Sequence, residues 1–566
     1  MTRKPSPFTR ELIKLVGKGI VHLVNEQRRN RPGDPYDYVQ FNLPASMPAF
    51  PDPRSLIQQR LFGRSALSLY SFGQALERLA EMRGVKGIVL NLPTLAMPQA
   101  DLQTLRDALS RFRAAGKRVI VYAQMYDLGS YFLASAADEI WLQEGGAFMT
   151  TGLISQQVFL RDALNTIGVT ADVVAISPYK SAADQLSRSE PSEESAAQLN
   201  WLLDSLYDTY VSAMAEGRGL SADDARAMIN RAPLTDLEAQ ELGYIDRVTR
   251  QELFHQHLGE DAKLIMWEEA DRRLPIKVAF DEEQIVVLAL SGMIVNGTSA
   301  TPPVDIPIPL VGGPRIGDVT AVNQIRDLMT NEKVKAVVVY IDSQGGSATA
   351  SEAIHSALSE LAKTRPVVAV MGSVAASGGY YIATPAHHII AQPGTLTGSI
   401  GVVLAKLVTN DMLRKLRFNP FTYLRGENAD ILASVAPFSE AQRERMRASI
   451  ERIYSLFLDR VTAARQLTRE QLEPIAGGRV WTGKQALELG LVDELGGLDA
   501  GIAKARRLAH LPSTAPVLLY LRGPRQPLVA QVAEKVNPAA ALTYWTTSLQ
   551  HLTSGQALYL VDHEWR

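Results

Sequence analysis

Residues 85–152 of this chain can be laid on residues 334–401 without a gap. VKGIVLNLP then falls on VKAVVVYID, and GSYFLAS on GGYYIAT. Further on, LTDLEAQELGYIDRV from Leu234 falls on WTGKQALELGLVDEL from Trp481, with the frame changed by only two residues. Self-similarity over such a distance means that one fold occurs twice, and a chain of 566 residues has the length to give each copy its own core.

The pattern inside a copy indicates the fold class. VKAVVVYID is a β-branched run that reads as a buried parallel strand, SATASEAIHSALSELAKT has helical spacing, and RPVVAVMGS returns to strand. Thr482 with Gln485, and Thr235 with Glu238, form matched capping boxes at the starts of short helices. Alternation of this kind predicts α/β architecture: two tandem repeats, each a mainly parallel sheet covered by helices. The expected limits are a leading segment at 1–37, a first repeat at 38–272, a charged linker at 273–283, a second repeat at 284–510 and a tail at 511–566 with no role assigned.

Composition removes several classes of function. Lys plus Arg number 58 against 60 Asp plus Glu, so the chain lacks the basic excess that a phosphate backbone attracts, and nucleic acid is not expected as a partner. There is no cysteine, which excludes disulfides, thiolate metal sites and thiol nucleophiles. No HExxH occurs, and the pair His387–His388 reads as a surface turn after Pro385, so neither metal nor cofactor is expected. Nothing reads as a membrane span. The apolar run from Leu12 to Val24 carries Lys14, Lys18 and His22 on one helical face, which suits a helix lying on a membrane surface or docking against another subunit.

The differences between the copies separate what the scaffold needs from what chemistry needs. Opposite Ser377, in SVAASGGYYIAT, the first copy has Leu128; opposite Gly345 and Gly346, in IDSQGGSATAS, it has Ala96 and Met97. The fold therefore tolerates their replacement. A glycine pair between a strand end and a helix leaves backbone N–H groups open to a developing oxyanion. A serine at a strand-to-helix turn is either a nucleophile at a helix N-terminus or a small residue in a tight turn. A nucleophile needs a base. His355 sits mid-helix, and His387 and His388 lie too far along the element that follows the serine. Lys180, in VVAISPYKSAAD, follows an apolar strand, and burial would lower its pKa enough for it to act as a base. The second copy has no lysine between Lys415 and Lys484, so the two copies hold complementary halves of a site; viewed alone, Lys180 reads as a surface residue.

YKSAAD around Lys180, DSQGGSATASE around Gly345, ASGGYY around Ser377, TGSIGV around Ser399 and GRVWTGKQALELGLVDELGG together resemble the long, tandem-repeat form of the bacterial signal peptide peptidase A (protease IV) family, over roughly residues 38–510. The resemblance implies a Clp/crotonase-like fold and a serine peptidase with a Ser/Lys dyad: Ser377 as nucleophile and Lys180 as general base. Gly345, Gly346 and Gly378 would be oxyanion donors, and Ser399 would orient the lysine. It implies hydrolysis of signal peptide remnants and other unfolded apolar peptides at the membrane, by a homo-oligomer, expected as a tetramer, attached peripherally through the N-terminal segment. The departures are Gln344 where the family's SPGG has proline, and an N-terminus unlike a membrane anchor. The competing expectations are a crotonase-like acyl-CoA enzyme and a non-catalytic scaffold that binds apolar peptides.

Overall fold

The computed structural model describes residues 19, 21–28, 35–52, 66–259, 261–275, 282–301, 313–521 and 558–560. The amphipathic run that contains Lys14 and Lys18 lies outside them; residues 21–28 are helical. The chain forms two compact units, one made of residues 1–154 and 207–283 and the other of residues 155–206 and 284–565.

The first unit is built on a sheet in the order β6-β4-β3-β2-β1-β8, with β7 beside β4. These strands are β1 (Tyr38–Asn42), β2 (Gly87–Leu92), β3 (Arg118–Asp127), β4 (Glu139–Met149), β6 (Leu234–Thr235), β7 (Arg247–Thr249) and β8 (Leu264–Met266). All pairings are parallel except β4–β6. The runs GIVLNL and RVIVYA read as near-continuous apolar strands because helices cover the sheet, and Ile88, Leu90, Val119 and Val121 are buried beneath α1 (Leu69–Ala80) and α2 (Gln99–Ala114). Helix α3 (Leu128–Ala134) starts at Asp127, whose carboxylate caps the Ser130 amide. Helix α4 (Glu193–Arg218) belongs to the second unit up to Leu206 and to the first from Tyr207.

The second unit repeats this plan and adds to it. Its main sheet runs β18 (Val480–Thr482), β16 (Leu396–Gly398), β14, β12, β9 and β20, with β15 (His388–Ala391) beside β14 and β19 (Glu494–Leu495) beside β15. The central strands β9 (Gln284–Ser291), β12 (Val334–Ser343) and β14 (Val367–Ala376) are parallel and almost wholly buried. The expected strand, helix and strand over residues 334–376 are all present, with helix α6 (Ala348–Ala362) between the two strands. Helix α5 (Asp318–Thr330) precedes them; α7 (Gly378–Ala383), α8 (Glu440–Arg465) and α9 (Leu498–Leu508) follow. The capping boxes at Thr235 and Thr482 both form, each threonine hydroxyl accepting from the N3 amide. Part of the tail joins this sheet: β20 (Val517–Tyr520) pairs in parallel with β9.

A second sheet in this unit has the order β11-β10-β13-β21-β17-β5, where β11 is Arg315–Gly317. It includes β10 (Met293–Val295), β13 (Gly345–Ser347), β17 (Val403–Val408) and β5 (Thr170–Ala175). Strand β5 comes from the first sequence repeat but pairs antiparallel with β17 of the second, over Thr170–Ala175 against Val408–Val403. The pairing carries residues 176–183 into the second unit. Strand β21 (Leu558–Leu560) runs antiparallel to both β13 and β17, with Leu560, Tyr559 and Leu558 opposite Gly345, Gly346 and Ser347.

The expected surface turn at His387–His388 is only partly observed. His388 opens β15, and its Nε2 lies 2.9 Å from a Glu494 carboxylate oxygen, while His387 Nδ1 accepts the Val367 amide. Among the described residues no cluster of acidic or histidine side chains could hold a metal ion, and no helix is long and apolar enough to cross a membrane.

Candidate active site

Strand β14 ends at Ala376 and α7 begins at Gly378, so Ser377 must turn the chain within one residue. It does so at φ 55° and ψ −116°, outside the well-populated regions for a residue with a side chain. Such a conformation costs about 1–3 kcal/mol and persists only where the surroundings impose it. Here the Ser377 amide donates to Gly398 O at 2.8 Å, and Ser377 O accepts the Tyr381 amide at 2.8 Å, closing the first turn of α7.

Lys180 reaches the serine from the other sequence repeat, within the same chain and the same unit. Its Nζ lies 2.7 Å from Ser377 Oγ, 3.0 Å from Ser399 O and 2.9 Å from Ser399 Oγ. All three residues are almost inaccessible, at 0% for Ser377, 2% for Lys180 and 1% for Ser399. Burial drives the Lys180 pKa well below the ordinary lysine value, and among the described residues no carboxylate offsets the loss of hydration. A neutral amine has two N–H donors and one lone pair. Ser399 offers two acceptors, its carbonyl and hydroxyl oxygens, so an uncharged amine that donates to both would turn its lone pair to Ser377 Oγ.

The lysine's seat is made by glycines and by the β5–β17 pairing. Ile176 N donates to Val402 O at 3.1 Å, and Lys180 N donates to Ser177 O at 3.1 Å. Gly478 lies so close that a Cβ there would sit 2.7 Å from Lys180 Cα, and its φ of 93° also favours glycine. Ser399 has φ 49°, with its amide bonded to Arg479 O at 2.7 Å. Gly478 was not singled out in the sequence, although the pair in IAGGRVW was a visible signal of close backbone approach.

Gly345, Gly346 and Gly378 meet beside the serine. A Cβ on Gly378 would come within 3.2 Å of Gly345 Cα and 3.3 Å of Gly346 N, and one on Gly379 would lie 2.4 Å from Ser343 O. The glycines thus let α7 press directly on the backbone of β13. Gly378 is the first residue of α7, where an amide has no preceding turn to bond. The Gly345 amide donates to Ser343 Oγ at 3.1 Å, so Ser343, which sequence reasoning missed, already engages one of the three expected donors. Asp342 accepts the Val374 amide at 3.1 Å and ties the ends of β12 and β14 together just before the turn.

A buried hydroxyl, a buried amine 2.7 Å from it and adjacent backbone amides are the parts that acyl transfer requires. The family comparison agrees. The model of peptidase family S49 matches residues 111–264 and again 359–512. The chain belongs to peptidase family S49. A Clp protease model also matches residues 314–393, the stretch that holds the glycine strand and Ser377. Among curated relatives, the S49 chain is 31% identical over 485 residues to "Serine protease SPPA, chloroplastic" of Arabidopsis thaliana, covering 82% of this chain and 70% of that protein. It is 31% identical to "Protease 4" of Haemophilus influenzae, covering 78% and 73%, and 33% identical to "Protease 4" of Salmonella typhi, covering 80% and 75%. It is a serine peptidase built of two S49 repeats with a Clp-like fold.

Proposed function

We propose that this S49 peptidase cleaves peptide bonds with a dyad of Ser377 and Lys180, and that its substrates are unfolded apolar peptides, including signal peptide remnants, at a membrane surface. The single observation that carries the reading is the 2.7 Å contact between Lys180 Nζ and Ser377 Oγ, with the amine's N–H groups held by Ser399. Ser377 Oγ attacks the scissile carbonyl carbon while Nζ takes its proton. The oxyanion forms beside the amides of Gly378 and Gly346. The new ammonium then passes its proton to the departing amine, leaving an acyl-enzyme. Water attacks the ester, Lys180 accepts the water's proton, and collapse frees the carboxylic product and returns the proton to Ser377.

The pairing of β21 supports an extended substrate. A strand that runs antiparallel to both β13 and β17 occupies a slot one chain wide, directly opposite Gly345 and Gly346. A substrate held there by main-chain bonds would present its carbonyls to the glycines, whatever its sequence. A folded protein has no free strand to offer. The acyl-CoA reading and the scaffold reading give the buried amine–hydroxyl contact no task.

Casein and a signal-peptide-like substrate assayed with wild type, Ser377→Ala and Lys180→Ala test the dyad. Both variants are expected to fold and to lose nearly all turnover. Unchanged cleavage by either removes its residue from the mechanism.

A further inference from the structure

Laying one repeat on the other sorts the side-chain networks into those both copies keep and those only one has. Three recur. Arg218 pairs with Asp246, and Arg465 with Asp493. Tyr131 donates to Tyr244 O, and Tyr380 to Leu491 O. Ile140 N donates to Asp246, and Ile389 N to Asp493. These belong to the scaffold.

Besides the Lys180 site, a cluster around Glu352 does not recur. In the first repeat Arg106 lies over the Phe132 ring, 4.6 Å from its centroid, and donates to Phe132 O, to Ser135 Oγ at 2.6 Å and to Ala213 O at 3.2 Å. In the second repeat His355 stands at the place of Arg106, Tyr381 at Phe132, Glu352 at Gln103 and Arg460 at Ala213. Glu352 accepts from the Tyr381 hydroxyl and, at 2.6 Å, from Arg460 Nη2, while the His355 ring meets Tyr381 edge-on at 5.2 Å. Burial alone would raise the Glu352 pKa, but the bonds from Arg460 and Tyr381 outweigh it and keep the group below the usual range. One carboxylate thereby ties α6, which follows the glycine strand, to α7, which starts at the serine, and to α8.

The copies differ in what these helices must hold. The first repeat enters α3 through Asp127 at φ −83° and ψ −179°, ordinary extended backbone. The second enters α7 through Ser377 at φ 55°, a conformation its surroundings must impose. We propose that Glu352, Tyr381 and Arg460 are positioning residues: they clamp α7 against α6 so that Ser377 keeps its turned geometry and its placement beside the glycine amides. The inference rests on Ser377 being the nucleophile.

Glu352→Gln and Tyr381→Phe test it, because each introduces the side chain that the first repeat already carries at the same place. The variable measured is kcat and KM on a peptide substrate, with melting temperature and the pH profile of kcat/KM beside them. The expected result is a fall in kcat of roughly ten-fold or more, KM within about two-fold, and an alkaline rise at unchanged pH because Lys180 is untouched. A combined variant, Glu352→Gln with His355→Arg, Tyr381→Phe and Arg460→Ala, carries the whole first-repeat set. It is expected to melt like wild type and remain slow. Wild-type kcat in the single variants or in the combined one would overturn the inference, and so would failure of the combined variant to fold. Ser377→Ala and Lys180→Ala run in parallel separate the two claims: if they stay active the dyad falls, whereas if they are dead and the clamp variants are fast only the clamp falls.

Discussion

Lys180 is a basic residue placed where a charge is costly. Among the described residues its amine has no acidic partner, only two serines, and it is buried at 2% exposure. That cost has a sign. The pKa is depressed in the folded state, so between the folded value and the ordinary 10.5 the unfolded chain binds a proton that the folded chain does not, and stability contributed at this position rises with pH across that window. Lys180→Met removes the dependence. The melting temperature of wild type relative to Lys180→Met should therefore climb as pH is raised from neutral toward 10.5, and a constant difference would mean that the amine is not held neutral. At this scale the sequence was informative because duplication exposed it. Leu128 opposite Ser377 marked the serine as dispensable to packing, and a stretch of the second copy without lysine drew attention to Lys180. Ser343 was missed although its bond is local, the Gly345 amide two residues on donating to Ser343 Oγ, whereas the contact of Gly478 with Lys180 is set by tertiary approach, which its glycine pair signals without naming the partner.

Among the elements, the strands and helices that repeat were readable from periodicity and caps, because β-branched buried runs and threonine capping boxes are local signals. The exchange of β5 was only half readable. Complementary losses indicated that the repeats share a site, but the antiparallel pairing of β5 with β17, which delivers Lys180 into the second unit, depends on contacts far apart in sequence. Strand β21 had no signal at all in a tail whose role the sequence left unassigned. Its position makes a prediction. The pairing of Leu558–Leu560 with both β13 and β17 fills the slot proposed for substrate, so a chain ending at residue 557 should cleave peptides with a lower KM, about two- to ten-fold, and an unchanged kcat. Equal KM for the shortened and full-length chains would show that β21 does not compete with substrate.

The whole molecule is a duplicated fold in which only one copy kept the serine and glycines. Its second unit exposes large apolar side chains in one stretch of sequence: Phe418 is 60% exposed, Phe421 82% and Tyr423 88%. Three such side chains within six residues fit a contact between copies, and we propose that the chain self-assembles through them; a tetramer is what the sequence resemblance implies. Phe421→Asp with Tyr423→Asp should lower the mass measured by light scattering from that of the assembly to that of a monomer, with the fold retained. An undiminished mass would assign these side chains another task.

In the proposed dyad an uncharged Lys180 takes the Ser377 proton within one chain. The most direct test of that transfer is the rate at which an organophosphorus serine reagent labels Ser377 as a function of pH, in wild type and Lys180→Ala. The prediction is a wild-type rate that rises through one ionisation well below 10.5, and labelling of the variant reduced to background at every pH. Labelling of Lys180→Ala at the wild-type rate, with the same rise, would contradict it.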